Sequence, residues 1–529
     1  MTNDSSSPTT TRPRRGGALL VAVGIFISRI FGLIRVRVFS HYFGLASDAA
    51  DAFNAGFRIP NLLQNLFGEG ALSGSFIPVY AKLAAAGDEQ EADRVAGAVA
   101  GLLALTVSVI VLVGVLTSPW LITLIAPGFD GEKRTLAIQV VRVLFPGAGL
   151  LVISAWCLGI LNSHHKFFLS YAAPVVWNLA MIAALVAFGG RTDLGRLAVL
   201  LAWASVAGSA LQVAVQLPTV SRVLSQFRPS LDVRSPHVRE VIRNFWPVLF
   251  SRGVVQISAF VDQFIGSLLP TGAVTGLTNV QLLYTLPVSL FGISVSAAEL
   301  PAMSRATGDE AEVAAHLRMR LGAGLQQVAF FVVPSAVAFA ALGDLVAGTI
   351  LQTGRFRHVD AVYVWGILAA SSVGLLASTF GRLYSSTYWA LRDTRTPLHY
   401  AIVRVTLTAT CGYFAALYGP ALLGIETRWG AAGLTASSAL CGWVELYLLR
   451  RTLSRRIGAV RLPTWYLPKL WTSAVVAAGV AWAIKLALPP GSPVLQGILT
   501  LGPYGLVYMG LTLLLGVPQA RLKRGRAQS

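Results

Sequence analysis

Residues 17–83 read GALLVAVGIFISRIFGLIRVRVFSHYFGLASDAADAFNAGFRIPNLLQNLFGEGALSGSFIPVYAKL. The opening third is an apolar run with arginines set inside it. Arg29 lies twelve residues past Gly17, about 18 Å of travel along a helix. That places its guanidinium near the middle of a hydrocarbon layer about 30 Å thick. A charge there costs about 3 kcal/mol or more, so it is expected to face a wet cavity or an anion. Arg35 and Arg37 follow, with Asp51, Arg58 and Glu69 in the next apolar segment. Gly32, Gly56, Pro60, Gly68, Gly70 and Gly74 make both segments bendable and easy to pack closely. Two interrupted helices carrying charge at depth suggest a transport site.

Composition agrees. Of 529 residues, 55% are hydrophobic and only 12% charged, with a mean hydropathy of +0.65. A soluble chain carries about 25% charged residues, so an integral membrane protein is expected. The formal charge of +19 does not point to nucleic acid, because no aromatic-basic platform or helix-turn-helix accompanies it. Cys157, Cys411 and Cys441 are scattered within apolar segments and imply neither disulfide nor metal. There is no paired catalytic set, metal-ligand spacing or phosphate-binding glycine loop, so neither an enzyme nor a cofactor is expected. Residues 1–16 read as a disordered cytoplasmic tail rather than a cleaved signal.

Fourteen apolar segments are candidate spans, centred near residues 27, 62, 106, 150, 180, 207, 253, 290, 330, 373, 406, 440, 477 and 506. Every second connection is basic: Arg222 to Arg243, Arg305 to Arg320, Arg392 with Arg395, and Arg450 to Arg461. Both termini are therefore expected in the cytoplasm. A weak internal repeat joins Ser28-Arg29 to Ser251-Arg252, Gly149 to Gly374, Pro174 to Pro397 and Pro60 to Pro287 at a near-constant offset. The fold class expected is an all-α polytopic membrane protein: two pseudo-symmetric six-helix lobes, 17–220 and 238–452, with a helix hairpin at 465–517 and a basic cytoplasmic tail at 518–529. Parallel repeats of this kind move against one another around a central site.

The residues also carry a resemblance. SRIFGLIR and DAADAFNAGFRIPNLLQNLFGEGALSGSFIP, then APGF at 126–129, LNSHHKF at 161–167, RGVVQI at 252–257, QTGRF at 352–356 and LRDTRTP at 391–397, are similar to the MurJ (MviN) family of lipid II flippases, within the MOP exporter superfamily. The similarity runs from about residue 17 to 450. It implies a fourteen-helix fold and a central cavity. The implied substrate is the undecaprenyl-pyrophosphate-linked peptidoglycan precursor, carried from the inner to the outer leaflet of the bacterial inner membrane. It also implies a groove at the last two helices for the lipid tail. The implied partners are lipid II, membrane lipids and the cell-wall synthesis machinery. By position, Ser28, Arg29 and Arg35 match cavity residues of the family's first helix, and Asp51, Asn61, Glu69 and Gly70 match its second. Arg252 opens the seventh helix, with Asp262 ten residues on.

Departures leave the exact substrate and the coupling ion open. Gln64 stands where the family commonly has a basic residue. Leu282 and Thr285 stand where it carries an Arg and a Glu, and Thr408 and Gly412 where some members have a sodium-binding Asn and Asp. A flippase for another polyprenyl-linked saccharide, or a MATE-like exporter, is the alternative.

An arginine fork suits phosphate oxygens, so Arg29, Arg35, Arg252 and Arg58 are candidates for a diphosphate cradle. The plainer readings are snorkelling for Arg35 and Arg37, an interfacial cap for Arg252 and a partner of Asp51 for Arg58. Arg29 and Arg35 point about 120° apart on a straight helix, so sharing a cavity needs a bend near Gly32. Asp51, Glu69 and Asp262 are candidates to neutralise the arginines when the cavity is empty, or structural pairs. Arg404 and Glu445 read as a buried pair, or Arg404 compensates for the arginine missing near residue 282.

Overall fold

Inside hydrocarbon every backbone N–H and C=O must be satisfied within its own segment, which makes long apolar runs helical. The computed structural model describes residues 15–224, 227–305, 309–489 and 491–521, with side chains at all of these except 15–22, 68, 69, 250–255, 257 and 258. Most of the two expected tails, 1–14 and 522–529, lies outside the described residues.

The first half of the chain forms α1 (Arg15–Phe43), α2 (Asp48–Leu63), α3 (Ser73–Ala85), α4 (Glu89–Ile125), α5 (Gly131–Ser163), α6 (Phe167–Phe188), α7 (Leu194–Val223) and α8 (Pro236–Ser267). The second forms α9 (Ala273–Pro287), α10 (Ser294–Ser304), α11 (Glu310–Leu351), α12 (His358–Ser372), α13 (Leu375–Ala390), α14 (Arg395–Leu417), α15 (Gly419–Leu423), α16 (Gly430–Ile457), α17 (Tyr466–Ala487) and α18 (Pro493–Leu514). Among the described residues the only bridge is Thr353 with Phe356. Among the described residues ten helices are long and apolar enough to cross a membrane, and α12 with α13, bent by 45°, makes an eleventh. The other three expected spans, near residues 27, 62 and 253, each include residues whose side chains are outside the description, so the described residues do not give the full count of fourteen.

Two stretches are π-helical: Gln64–Leu72 and Val288–Ile293. Each contains Leu-Phe-Gly, at Leu66 and at Leu290, at the spacing of the other repeated features. Short π segments recur at functional sites, where they change the direction and register of a helix.

The helices divide into two compact units. Of the described residues, one takes 15–39, 56–121 and those within 136–256, the other 40–55, 122–135 and those within 257–521. In the first, Phe67, Leu72, Phe76 and Tyr80 pack with Val95 and Val99 of α4, Trp156 and Ile160 of α5, and Val238 and Val241 of α8. The segment after α7 runs back over α4 as an extended strap. Ser230 N–H donates to the Gly97 carbonyl at 3.2 Å, Arg94 pairs with Asp232 at 2.6 Å, and the Ser235 hydroxyl donates to Glu91 at 2.6 Å. Gly97 and Gly101 permit this, since a Cβ on either would strike the carbonyl of Arg228 or Ser230.

The second unit is built on α11, the most buried of its candidate spans. Pro334 cannot donate to the carbonyl four residues back, and Tyr508 Oη of α18 donates to that Phe330 oxygen at 2.7 Å. Tyr504 Oη donates to the Pro334 carbonyl at 2.6 Å. Leu342 breaks the helical conformation, with φ −126° and ψ 17°. The adjacent carbonyls of Ala340 and Ala341 accept the indole N–H groups of Trp365 and Trp482, both at 2.9 Å. The α17–α18 hairpin is thus held to α11 by polar tips that answer carbonyls at its proline and kink.

Candidate functional site

In the first unit the candidate residues of α1 separate into two environments. Arg29 is exposed, with no protein partner among the described residues, and Ser28 is half-buried beside it. Arg35 is enclosed. Its Nε donates to Asn178 Oδ1 at 3.0 Å, and its guanidinium lies 5.1 Å from the Trp177 ring and 5.9 Å from the Phe57 ring. Phe57 and Trp177 are near-parallel, 5.9 Å apart. Asn178 is fixed in turn by donating Nδ2 to the Pro174 carbonyl at 3.0 Å. A guanidinium held by one N–H against two aromatic faces keeps its plane and charge. The ends of the fork, Nη1 and Nη2, make no protein hydrogen bond among the described residues. α1 is continuously helical from Arg15 to Phe43. Arg58 is half-buried on α2, and Asn61 is exposed. The side chains of Glu69 and Arg252 lie outside the described residues.

The second unit takes Asp51. Its carboxylate accepts from Gly272 N–H at 2.8 Å, Thr275 N–H at 2.9 Å, the Thr275 hydroxyl at 2.7 Å and Lys133 Nζ at 2.9 Å. Gly272 begins α9 with φ +97°, a backbone conformation natural to glycine. Asp51 therefore caps the positive N-terminus of α9 and is 1% exposed. Asp262 is half-buried on α8. Arg404 Nε and Glu445 Oε2 are 2.9 Å apart, joining α14 to α16. Leu282 and Thr285 are half-buried on α9, flanking Tyr284, whose hydroxyl meets the Ser378 hydroxyl at 2.8 Å.

Phe57, Trp177 and Asn178 went unread in the sequence. The available signal was Asn178 four residues after Pro174 in an otherwise apolar span. Two further arginines at depth were also passed over. Arg142 of α5 donates from Nε to Ser118 Oγ at 3.0 Å. Arg382, in the middle of α13, lies within electrostatic reach of Arg404 and Glu445. Single arginines in apolar runs were the signal for both. Among the described residues no group of His, Cys, Asp and Glu is arranged to hold a metal. The arrangement in the first unit suits an anion with several oxygens: one open cation and, six residues on, a second oriented by aromatic rings.

A family model described as "Lipid II flippase MurJ" matches residues 39–499. A Burkholderia cenocepacia protein named lipid II flippase MurJ is 30% identical over 474 residues, covering 88% of this chain and 89% of the relative. Among solved structures, "Lipid II flippase MurJ, inward closed conformation" aligns with a TM-score of 0.75 at 22% identity, covering 94% of this chain and 98% of the other. An inward-facing multidrug transporter of the MATE family aligns at 0.63 with 18% identity, covering 83% and 98%. These two likenesses are likenesses of fold.

Proposed function

The chain belongs to the family of the lipid II flippase MurJ, and from that premise we propose that it carries lipid II from the inner to the outer leaflet of the bacterial plasma membrane for cell-wall synthesis. The observation that carries this reading is Arg35, packed against the stacked rings of Phe57 and Trp177 with the ends of its fork open, on the same helix as the exposed Arg29. The diphosphate is the part of lipid II such cations suit. Its oxygens accept from planar guanidinium donors, and its charge offsets the penalty of holding arginines at depth.

In this reading Arg29 meets the diphosphate first and Arg35 holds it in a fixed plane, with Arg252 as a further cation. Asp262 and Glu69 offset the cations once the substrate has left. Lobes 17–220 and 238–452 rock against one another, the 465–517 hairpin guides the prenyl tail, and a membrane potential biases the cationic site between states. Both termini are cytoplasmic, and the chain works beside the cell-wall synthesis machinery. No covalent bond is made or broken. Membrane lipid and polyprenyl-linked saccharide are the partners, and no cofactor takes part.

The test is complementation in cells depleted of their own lipid II flippase. Wild type rescues growth, and Arg29→Ala, inserted at the same level, does not. A second reading, transport of another polyprenyl-linked saccharide, is favoured by Leu282 and Thr285, two uncharged side chains on α9. It is the outcome if wild type reaches the membrane, fails to rescue and accumulates a different lipid-linked sugar on deletion.

A further inference from the structure

Where α17 ends and α18 begins, the second unit encloses a cavity of about 130 Å³ lined by Asp344, Thr349, His358, Lys485, Gln496 and Thr500, among others. We propose that it holds the head group of a zwitterionic aminophospholipid, with the ammonium on Asp344 and the phosphate on Lys485.

Asp344 follows the break in α11 at Leu342, and its side chain is 4% exposed. One carboxylate oxygen, Oδ2, meets Lys485 Nζ at 2.5 Å, while Oδ1, fully buried, has no hydrogen-bond partner. The Thr500 hydroxyl is likewise buried and unpartnered. An unmet buried polar group is costly, so both call for an occupant that can hydrogen-bond. Lys485 offers three N–H donors and uses one on Asp344.

The charges of the pair cancel, so a simple anion or cation gains little there. A zwitterion meets both signs at once: its ammonium donates to Asp344 Oδ1, and its phosphate accepts from Lys485 and the Gln496 amide. The cavity is large enough for a small head group as well as for several waters. The bilayer supplies the candidate. Lys485 is two residues from the end of α17 and Gln496 three from the start of α18, the depth of lipid head groups. Leu486, Leu495 and Ile498 beside it are exposed apolar side chains. Trp482, over which Lys485 Nζ sits at 4.5 Å, is the residue type of the interfacial belt. The proposal does not depend on what the chain transports.

The test uses the full chain in detergent, with retained lipid counted by native mass spectrometry. The probes are phosphatidylethanolamine, phosphatidylcholine and phosphatidylglycerol, with O-phosphoethanolamine as the soluble head group. Phosphatidylethanolamine is expected to be retained about tenfold better than phosphatidylcholine, whose trimethylammonium has no N–H to donate. Phosphatidylglycerol, which carries no ammonium, is expected to fare no better than phosphatidylcholine. Asp344→Asn lowers retention about tenfold. Because that variant strands Lys485 and can unfold the hairpin, Thr500→Val and Gln496→Ala, which leave the pair intact, are measured beside it and lower retention about threefold. Equal retention of phosphatidylethanolamine and phosphatidylcholine, preference for phosphatidylglycerol, or no effect of Thr500→Val and Gln496→Ala would each overturn the proposal. So would O-phosphoethanolamine binding as tightly as the lipid, since the cavity would then take a soluble zwitterion, and so would a cavity holding water alone.

Discussion

Arg35 owes its orientation to Asn178 and the ring of Trp177. A hydrogen bond to a charged group contributes about 1.5–3 kcal/mol, and a cation over an aromatic face about 0.5–2 kcal/mol. Asn178→Leu therefore frees the guanidinium to turn, and Trp177→Ala removes the nearer of the two rings it packs against. Each is expected to lower lipid II translocation in a vesicle assay about tenfold while protein level and melting temperature change little. Full translocation by Asn178→Leu would show that Arg35 needs no fixed plane. Asp51 is a different kind of residue, because its two carboxylate oxygens are taken up by Gly272, Thr275 and Lys133, and it holds an end of α9 in place.

At the scale of elements, the α17–α18 hairpin depends on side chains answering backbone carbonyls of α11. Tyr508→Phe leaves the Phe330 oxygen unmet at a cost of about 1–3 kcal/mol, read as a lower melting temperature and faster proteolysis of the hairpin. Pro334→Ala in the same chain restores a backbone donor for that oxygen, so the double variant is expected to recover much of the loss. If Pro334→Ala gives no recovery, the proline is not the reason the tyrosine is needed. The strap over α4 has a pH dependence of definite sign. The Arg234 backbone N–H at 2.8 Å, and then the Arg94 guanidinium, hold the Asp232 carboxyl below the usual carboxylate range. A lowered folded value means the attachment is fully present above the ordinary carboxylate pKa of about 3.9 and is lost as pH falls through the folded value. Hydrogen exchange of residues 227–235 is therefore expected to report the same opening at pH 7 and pH 5, and a larger one only below about pH 4. Opening between pH 7 and pH 5 would place the control elsewhere.

Across the whole molecule, the excess of basic residues in every second connection sets the expected orientation. In a background where the exposed Cys411 is replaced by serine, a cysteine at Gly491 is expected to react with an impermeant maleimide in intact cells. One at Arg455 is expected to react only after permeabilisation. The reverse pattern would invert the chain and make the direction of transport proposed above untenable. The π segments at Gln64 and Val288 belong to this scale too. The repeated Leu-Phe-Gly made their equivalence readable in the chain, but their geometry was not readable, because a π turn and an α turn differ in pairing by one residue and not in composition.

The sequence by itself determined that the chain is a helical membrane protein, that it belongs with the flippases and that Arg29 and Arg35 are costly enough to need a purpose. These are matters of local hydropathy and motif, since the transfer of a segment into hydrocarbon is fixed by its own side chains. Only the tertiary structure decided which polar groups meet. Nothing in the chain order tied Asp51 to α9, whose start it closes with Gly272, Thr275 and Lys133. Arg404 and Glu445, on helices that follow one another, could be paired by reading, and they stand 2.9 Å apart. Arg35 with Asn178, and Lys485 with Asp344, could not. A hydrogen bond is won or lost over less than an ångström, and partners more than a hundred positions apart in the chain are brought to that distance only by the packing of whole helices.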